Sequence, residues 1–315
     1  MLHCVSYLIL GFFLPTLVAG FVLPTFGAYD NCIEQRRFDN VIIFGDSYSD
    51  QGNGYKLTNK TWPLSPPYYH GRYCNYRNWV DQLEVREIKN YAYPGATTDN
   101  RQVQGYTKFN TVPVPGVNQQ IDRYFNECKS DIISSEKTLH IIWVGGNNIL
   151  FNPLLSIPDI ASNLTNLVTK LCEKNAKHVL VFNVQPAQYI PALSTYANAT
   201  TLTELSAAFN FLVASYLHAI QQVCPQTSIN MFDINSLFTK VITQGLGYFK
   251  DTTNSCWTDV NPTTIIQNCK DPNKNVFLDN IHVTYPVHQL IADVIQKFLC
   301  PSYQVNTASC YIHNA

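Results

Sequence analysis

Val41-Ile42-Ile43-Phe44-Gly45-Asp46-Ser47-Tyr48-Ser49-Asp50-Gln51-Gly52-Asn53 joins a short, unbroken apolar run to a polar turn. Four large apolar residues in succession leave no hydrophilic face, so the run reads as a strand covered on both sides, as in a parallel sheet. Similar runs recur at 139–144, ending at Gly145-Gly146, at 178–184, ending before Pro186, and at 228–234, ending before Asn235. Between them lie helical periods over 117–128, 158–175 and 201–224, and a closing helix is expected over 285–299. Strands alternating with helices of this length predict an α/β fold, a three-layer α/β/α sandwich around a central parallel sheet. Two stretches break the rhythm: 54–115, rich in Tyr, Trp, Pro and Asn, and 250–276, rich in Asp, Asn and Thr. Both are expected to be long loops over the carboxyl ends of the strands, where open α/β sheets bind ligands.

The 315 residues carry 21 basic and 22 acidic side chains, a formal net charge of −1, and 46% of them are hydrophobic. That apolar content does not fit a disordered chain. With Arg36-Arg37 as the only adjacent basic pair, there is no electrostatic footprint for nucleic acid. Residues 5–18 are almost wholly apolar and run into Val18-Ala19-Gly20, which reads as a signal-peptide core and cleavage site. A signal peptide over 1–20, a single domain over 21–315, secretion, and no stable membrane insertion are therefore expected. Cys4 would leave with the signal, and an odd number of cysteines would remain, so at least one thiol is unpaired or intermolecular. Cys256 with Cys269 and Cys300 with Cys310 are the expected local pairs, because each closes a short polar loop. Cysteine spacing suggests neither a metal nor a redox site, and no cofactor is expected. Asn59, Asn163 and Asn198 each open an N-x-Thr glycosylation acceptor. The oligomeric state stays open.

Four short blocks carry chemistry. Ser47, at the turn out of the first strand, would present its hydroxyl at the sheet edge beside backbone N–H groups, although Gly-Asp-Ser alone reads equally as a helix N-cap. Phe277-Leu278-Asp279-Asn280-Ile281-His282 places a carboxylate three residues before an imidazole, which can orient the ring and leave its other nitrogen as a general base; Asp279 could also merely cap a helix. Trp143-Val144-Gly145-Gly146-Asn147-Asn148 ends another strand, and an Asn there can donate N–H to a developing oxyanion or form an ordinary turn. In Asn90-Tyr91-Ala92-Tyr93-Pro94-Gly95-Ala96-Thr97, Gly95 could offer a backbone N–H or complete a Pro-Gly turn. His288 reads as a packing or surface residue.

Taken in this order, each at the end of an expected strand, the four blocks resemble the GDSL family of the SGNH hydrolase superfamily, from Val41 to about Leu299. The resemblance implies Ser47 as nucleophile, His282 as base and Asp279 as its orienting partner. It also implies oxyanion donors at the Ser47 amide, Gly95 and Asn147. Gly71-Arg72-Tyr73-Cys74-Asn75-Tyr76-Arg77-Asn78-Trp79-Val80 looks like a further segment of that family, most similar to secreted fungal esterases, acetylesterases among them. The chain departs from the family at Asn148, where Asp is usual, at Pro94, at Val283, and at Cys74 and Tyr76 near the cleft. No Gly-x-Ser-x-Gly elbow is present, which argues against the α/β-hydrolase fold. The expected activity is that of a serine esterase acting on short-acyl, acetyl esters of carbohydrate. A lipase or phospholipase acting on longer acyl esters is the alternative, and a non-catalytic glycan-binding protein is the alternative of another class. Trp62, Tyr73 and Trp79 are the expected substrate-binding aromatics, either stacking on sugar or lining an apolar cleft.

Overall fold

The structure, a computed structural model, describes residues 37–300 apart from Pro262. Its central sheet contains β1 (Asn40–Gly45), β2 (Glu87–Asn90), β3 (Thr138–Trp143), β4 (His178–Phe182) and β5 (Ser228–Phe232), all parallel, in the order β2-β1-β3-β4-β5. The helices that bear on the argument are α1 (Val117–Glu127), α2 (Gly146–Phe151), α3 (Ile157–Glu173), α4 (Ala199–Val223), α5 (Ile234–Gln244) and α6 (Tyr285–Leu299). Side chains alternate across a strand, so Val41, Ile43, Leu139, Ile141 and Phe182 enter one core with α5 and α6, and Ile42, Phe44, Ile142, Val179 and Val181 enter the other with α1, α3 and α4. The expected three-layer α/β/α sandwich is the observed architecture.

Local chemistry sets the element ends. Ser156 caps α3 by accepting from the Asp159 N–H, with Pro158 in the first turn, and the Asn198 side chain accepts from the Thr201 N–H at the start of α4. The apolar run expected to continue to Ile234 stops instead at Phe232, because Asp233 turns the chain and accepts from the Ser236 N–H (3.0 Å) to start α5.

The two stretches expected to be loops contain more structure than that. Residues 54–115 include β2, a short helix (Asn53–Leu57) that straddles their start, and a hairpin of Gly105–Thr107 with Val112–Val114. Residues 250–276 include the hairpin of Trp257–Asn261 with Thr264–Gln267, and Asp251–Ser255 pairs with Asn275–Phe277. β2 reads Glu-Ile-Lys-Asn and is a half-exposed edge strand, so it has no apolar run to announce it.

Cys256 is bonded to Cys269 as expected, and Cys172 to Cys224, a pair 52 residues apart that ties the end of α3 to the end of α4. Among the described residues Cys74 and Cys128 are free thiols. Cys300 is disulfide-bonded, but Cys310 and the expected signal peptide lie outside the described residues. No described helix is long and apolar enough to cross a membrane.

Candidate active site

In this strand order the chain leaves β1 toward β2 on one side and crosses back to β3 on the other, so the carboxyl ends of β1 and β3 flank a crevice. Ser47 lies just past β1 and Asn147 just past β3, on the two lips of that crevice. The turn that carries Ser47 is held by its neighbours. The Asp46 carboxylate accepts from the Tyr48 N–H (3.1 Å), and Asp50 accepts from the N–H groups of Gly52, Asn53 and Gly54 at the head of the helix Asn53–Leu57. Asp50 thus takes the capping role that Gly-Asp-Ser could have had, and the Ser47 hydroxyl is left for other work.

That hydroxyl meets His282. Ser47 Oγ lies 2.7 Å from His282 Nε2, and His282 Nδ1 lies 2.8 Å from Asp279 Oδ2. The proton belongs on Nδ1, facing the carboxylate, so Nε2 accepts from the serine. Asp279 Oδ1 accepts from the backbone N–H groups of Ile281 (2.8 Å) and His282 (2.7 Å), a local turn that fixes the carboxylate against the ring. The Tyr48 hydroxyl donates to the Ile281 carbonyl at 2.5 Å and ties this turn to the serine turn.

Electrostatics follow from burial and pairing. Burial alone would lower the His282 pKa, but the adjacent Asp279 charge and its hydrogen bond outweigh burial and raise it above 6.5. For Asp279, burial opposes ionisation, yet His282 and the donated N–H groups hold it below the ordinary carboxylate value. For Asp46 burial wins: it pushes the pKa up to about 7 against the opposing Tyr48 N–H bond and the His282 charge.

Gly95 sits at φ +80°, and a Cβ there would fall 1.9 Å from the Tyr106 carbonyl oxygen, so this close approach admits only glycine. Among the described residues, neither the Ser47 nor the Gly95 N–H donates to a backbone acceptor. Asn147 Nδ2 donates to the Ala96 carbonyl (3.0 Å) and stands 3.4 Å from Asp46 Oδ2, a long contact that its second hydrogen can leave. Asn148 is fully buried and makes a two-way pair with Thr98: its Oδ1 accepts from the Thr98 N–H (3.0 Å) and its Nδ2 donates to Thr98 Oγ1 (2.8 Å). It therefore clamps the Gly95 loop to the turn after β3.

Ser47, Gly95, Asn147, Asp279, His282, Trp62 and Tyr73 all line one cleft of about 390 Å³. The Tyr73 ring centre is 4.7 Å from that of His282. The expectation for Trp79 is corrected: it is 0% exposed, packed against Trp143 and Phe182 in the core, with its backbone N–H on His288 Nδ1 (3.4 Å). Tyr73 and Trp79, six residues apart, thus part company: one lines the cleft and the other packs in the core on Trp143 and Phe182. His288 is buried packing, its pKa lowered by burial to about 3. Tyr76 packs outside the cleft, tilted against Tyr69 and edge-on to Tyr285, and the buried Cys74 thiol is pushed up to about 12. Of the glycosylation acceptors, Asn59 and Asn198 are exposed, whereas Asn163 is half-buried on α3 and donates to the Asp159 carbonyl.

Tyr68, which stands outside the expected site residues, donates its hydroxyl to Asp279 Oδ2 at 2.6 Å. Asp259, from the 257–267 hairpin, lies 3.4 Å beyond that hydroxyl, and burial pushes its pKa up to about 6. No local pattern marks either residue, because both reach the site from segments remote in the chain.

Residues 41–295 match the family model described as GDSL-like Lipase/Acylhydrolase. A phosphatidylcholine-sterol acyltransferase from Aeromonas hydrophila is 26% identical over 229 residues, 70% of this chain and 66% of that protein. An acetylesterase from Hypocrea jecorina is 26% identical over 165 residues, 47% of each. The chain spans two thirds or less of the length of these relatives. A solved carbohydrate acetylesterase from Sinorhizobium meliloti matches with 16% identity over 62% of this chain and 83% of that one, at a TM-score of 0.38.

Proposed function

The chain belongs to the GDSL-like lipase/acylhydrolase family, and we propose that it hydrolyses carboxylic esters through a Ser47–His282–Asp279 triad. One observation carries the reading: the unbroken line of hydrogen bonds from Ser47 Oγ to Nε2 (2.7 Å) and from Nδ1 to Asp279 (2.8 Å). In the proposed reaction Ser47 Oγ attacks the ester carbonyl as His282 takes its proton. The oxyanion receives N–H bonds from Ser47, Gly95 and Asn147. His282 then hands the proton to the leaving alcohol, and water repeats the sequence on the acyl-enzyme. Labelling by a fluorophosphonate probe, with the adduct located by peptide mass spectrometry, tests the assignment. An adduct on any residue but Ser47, or none at all, removes it.

Two quantitative expectations follow. Asn147→Ala should lower kcat by about 100- to 1000-fold with little change in KM, since an oxyanion donor acts mainly in the transition state. The kcat/KM profile should fall on the acid side, because a protonated His282 cannot accept the serine proton. Because Asp279 raises that pKa, the midpoint should lie above 6.5. A midpoint at or below 6.5 in a stopped-assay pH series would contradict this.

The substrate is proposed to be a short-acyl ester of a carbohydrate alcohol, with Trp62 and Tyr73 beside the leaving group; the similarity to an acetylesterase supports it. A longer-acyl lipid ester is the second reading, favoured by the similarity to a phosphatidylcholine-sterol acyltransferase. Secretion after removal of residues 1–20, with glycan on Asn59 and Asn198, is part of the proposal. A mobility shift on glycosidase treatment checks the glycans.

A further inference from the structure

Ser47 borders a second cavity besides the open cleft. This one is about 80 Å³ and runs from Ser47 and Asn147 down to α4, walled by Leu150, Val184, Ile190, Leu193, Leu205 and Phe209. Phe209 is fully buried, and its ring tip lies where a Cβ on Gly145 would come within 3.1 Å, so the glycine makes room for the aromatic wall. Most of this cavity's lining is apolar, and two of its polar groups are turned to partners of their own. Ser206 Oγ donates back to the Leu202 carbonyl of its own helix (3.1 Å), and Asp46 is held by the Tyr48 N–H and Asn147. A ligand group that enters therefore gains chiefly by removing apolar surface from water.

The tetrahedral carbon formed on Ser47 carries an oxyanion, the leaving alcohol and the acyl chain. The alcohol must face His282, which hands it a proton, and that places it in the open cleft with Trp62 and Tyr73. The acyl chain is left with the apolar cavity. A cavity of 150 Å³ accommodates benzene, so about 80 Å³ holds roughly three carbons beyond the carbonyl. We infer that this cavity is the acyl subsite and that it selects a butyryl-sized chain over acetyl and over long chains. This rests on the triad reading and refines the acyl group within it.

The test is kcat/KM on p-nitrophenyl acetate, butyrate and palmitate. Butyrate should exceed acetate by about tenfold, the worth of two buried methylenes, and palmitate should fall below butyrate. Ser206→Leu fills the cavity and removes only a hydroxyl bonded to its own helix, so the butyrate-to-acetate ratio should drop to about one or below. Should that variant fail to fold, Leu205→Ala at a half-buried position widens the cavity and should move the optimum from butyrate toward hexanoate. A wild-type ratio near one, or a ratio unmoved in a folded cavity variant, overturns the subsite and leaves the triad intact. Full hydrolysis by Ser47→Ala overturns the triad and, with it, the subsite, and so is distinct from a subsite that fails while the triad stands.

Discussion

Ser47→Ala should lower kcat by on the order of 10⁶-fold while the protein remains folded, because covalent catalysis is lost and only oxyanion binding and substrate positioning remain. The side chain is small and borders the open cleft, so its removal creates no closed void, and His282 Nε2 can turn to water. Hydrolysis of p-nitrophenyl butyrate, read alongside the circular dichroism melting curve, separates lost chemistry from lost structure. A folded Ser47→Ala protein that keeps more than about one per cent of the wild-type rate would end the assignment of Ser47 as nucleophile.

Asp279→Asn should cost about 10⁴-fold in kcat, and the surroundings of Asp279 explain why an isosteric change is so damaging. Asp279 Oδ1 accepts two backbone N–H bonds, from Ile281 and His282, so in the variant the amide oxygen must occupy that position. The amide nitrogen then falls where Oδ2 was, facing His282 Nδ1 and the Tyr68 hydroxyl. A donor aimed at Nδ1 drives the ring proton to Nε2, which can no longer accept from Ser47. The loss of the carboxylate charge also removes what holds the His282 pKa up, so the residual activity should have its acid limb at lower pH than the wild type. Steady-state kinetics across pH check both effects. A variant within tenfold of wild type would mean that Asp279 does not orient the ring.

Much of the fold was legible because a strand buried on both faces has no polar position to spare. The runs at β1, β3 and β4 announce themselves for that reason; β2 and β5 are the partly exposed edges of the sheet, and of these only β5 keeps an apolar run, β2 being Glu-Ile-Lys-Asn. The helices expected over 158–175 and 201–224 begin one and two residues earlier, where Ser156 and Asn198 supply the caps. The residues that make up the site were legible too, since each stands at a strand end with a Gly or Asn turn beside it. The support around them was not: Tyr68, Asp259 and the Cys172–Cys224 bond join segments with no periodic relation to one another.

What the amino-acid order determined by itself is the run of buried strands, the main helices and the short blocks that meet in the candidate site, for these depend on neighbours within a few residues. Tertiary packing decided that Ser47 and His282, 235 residues apart, lie within a hydrogen bond, that Trp62 and Tyr73 face the cleft while Trp79 fills the core, and that an apolar cavity opens beside Ser47. The reason is physical: local pattern records which face of an element is apolar, whereas which side chain fills a given space depends on every element that meets there.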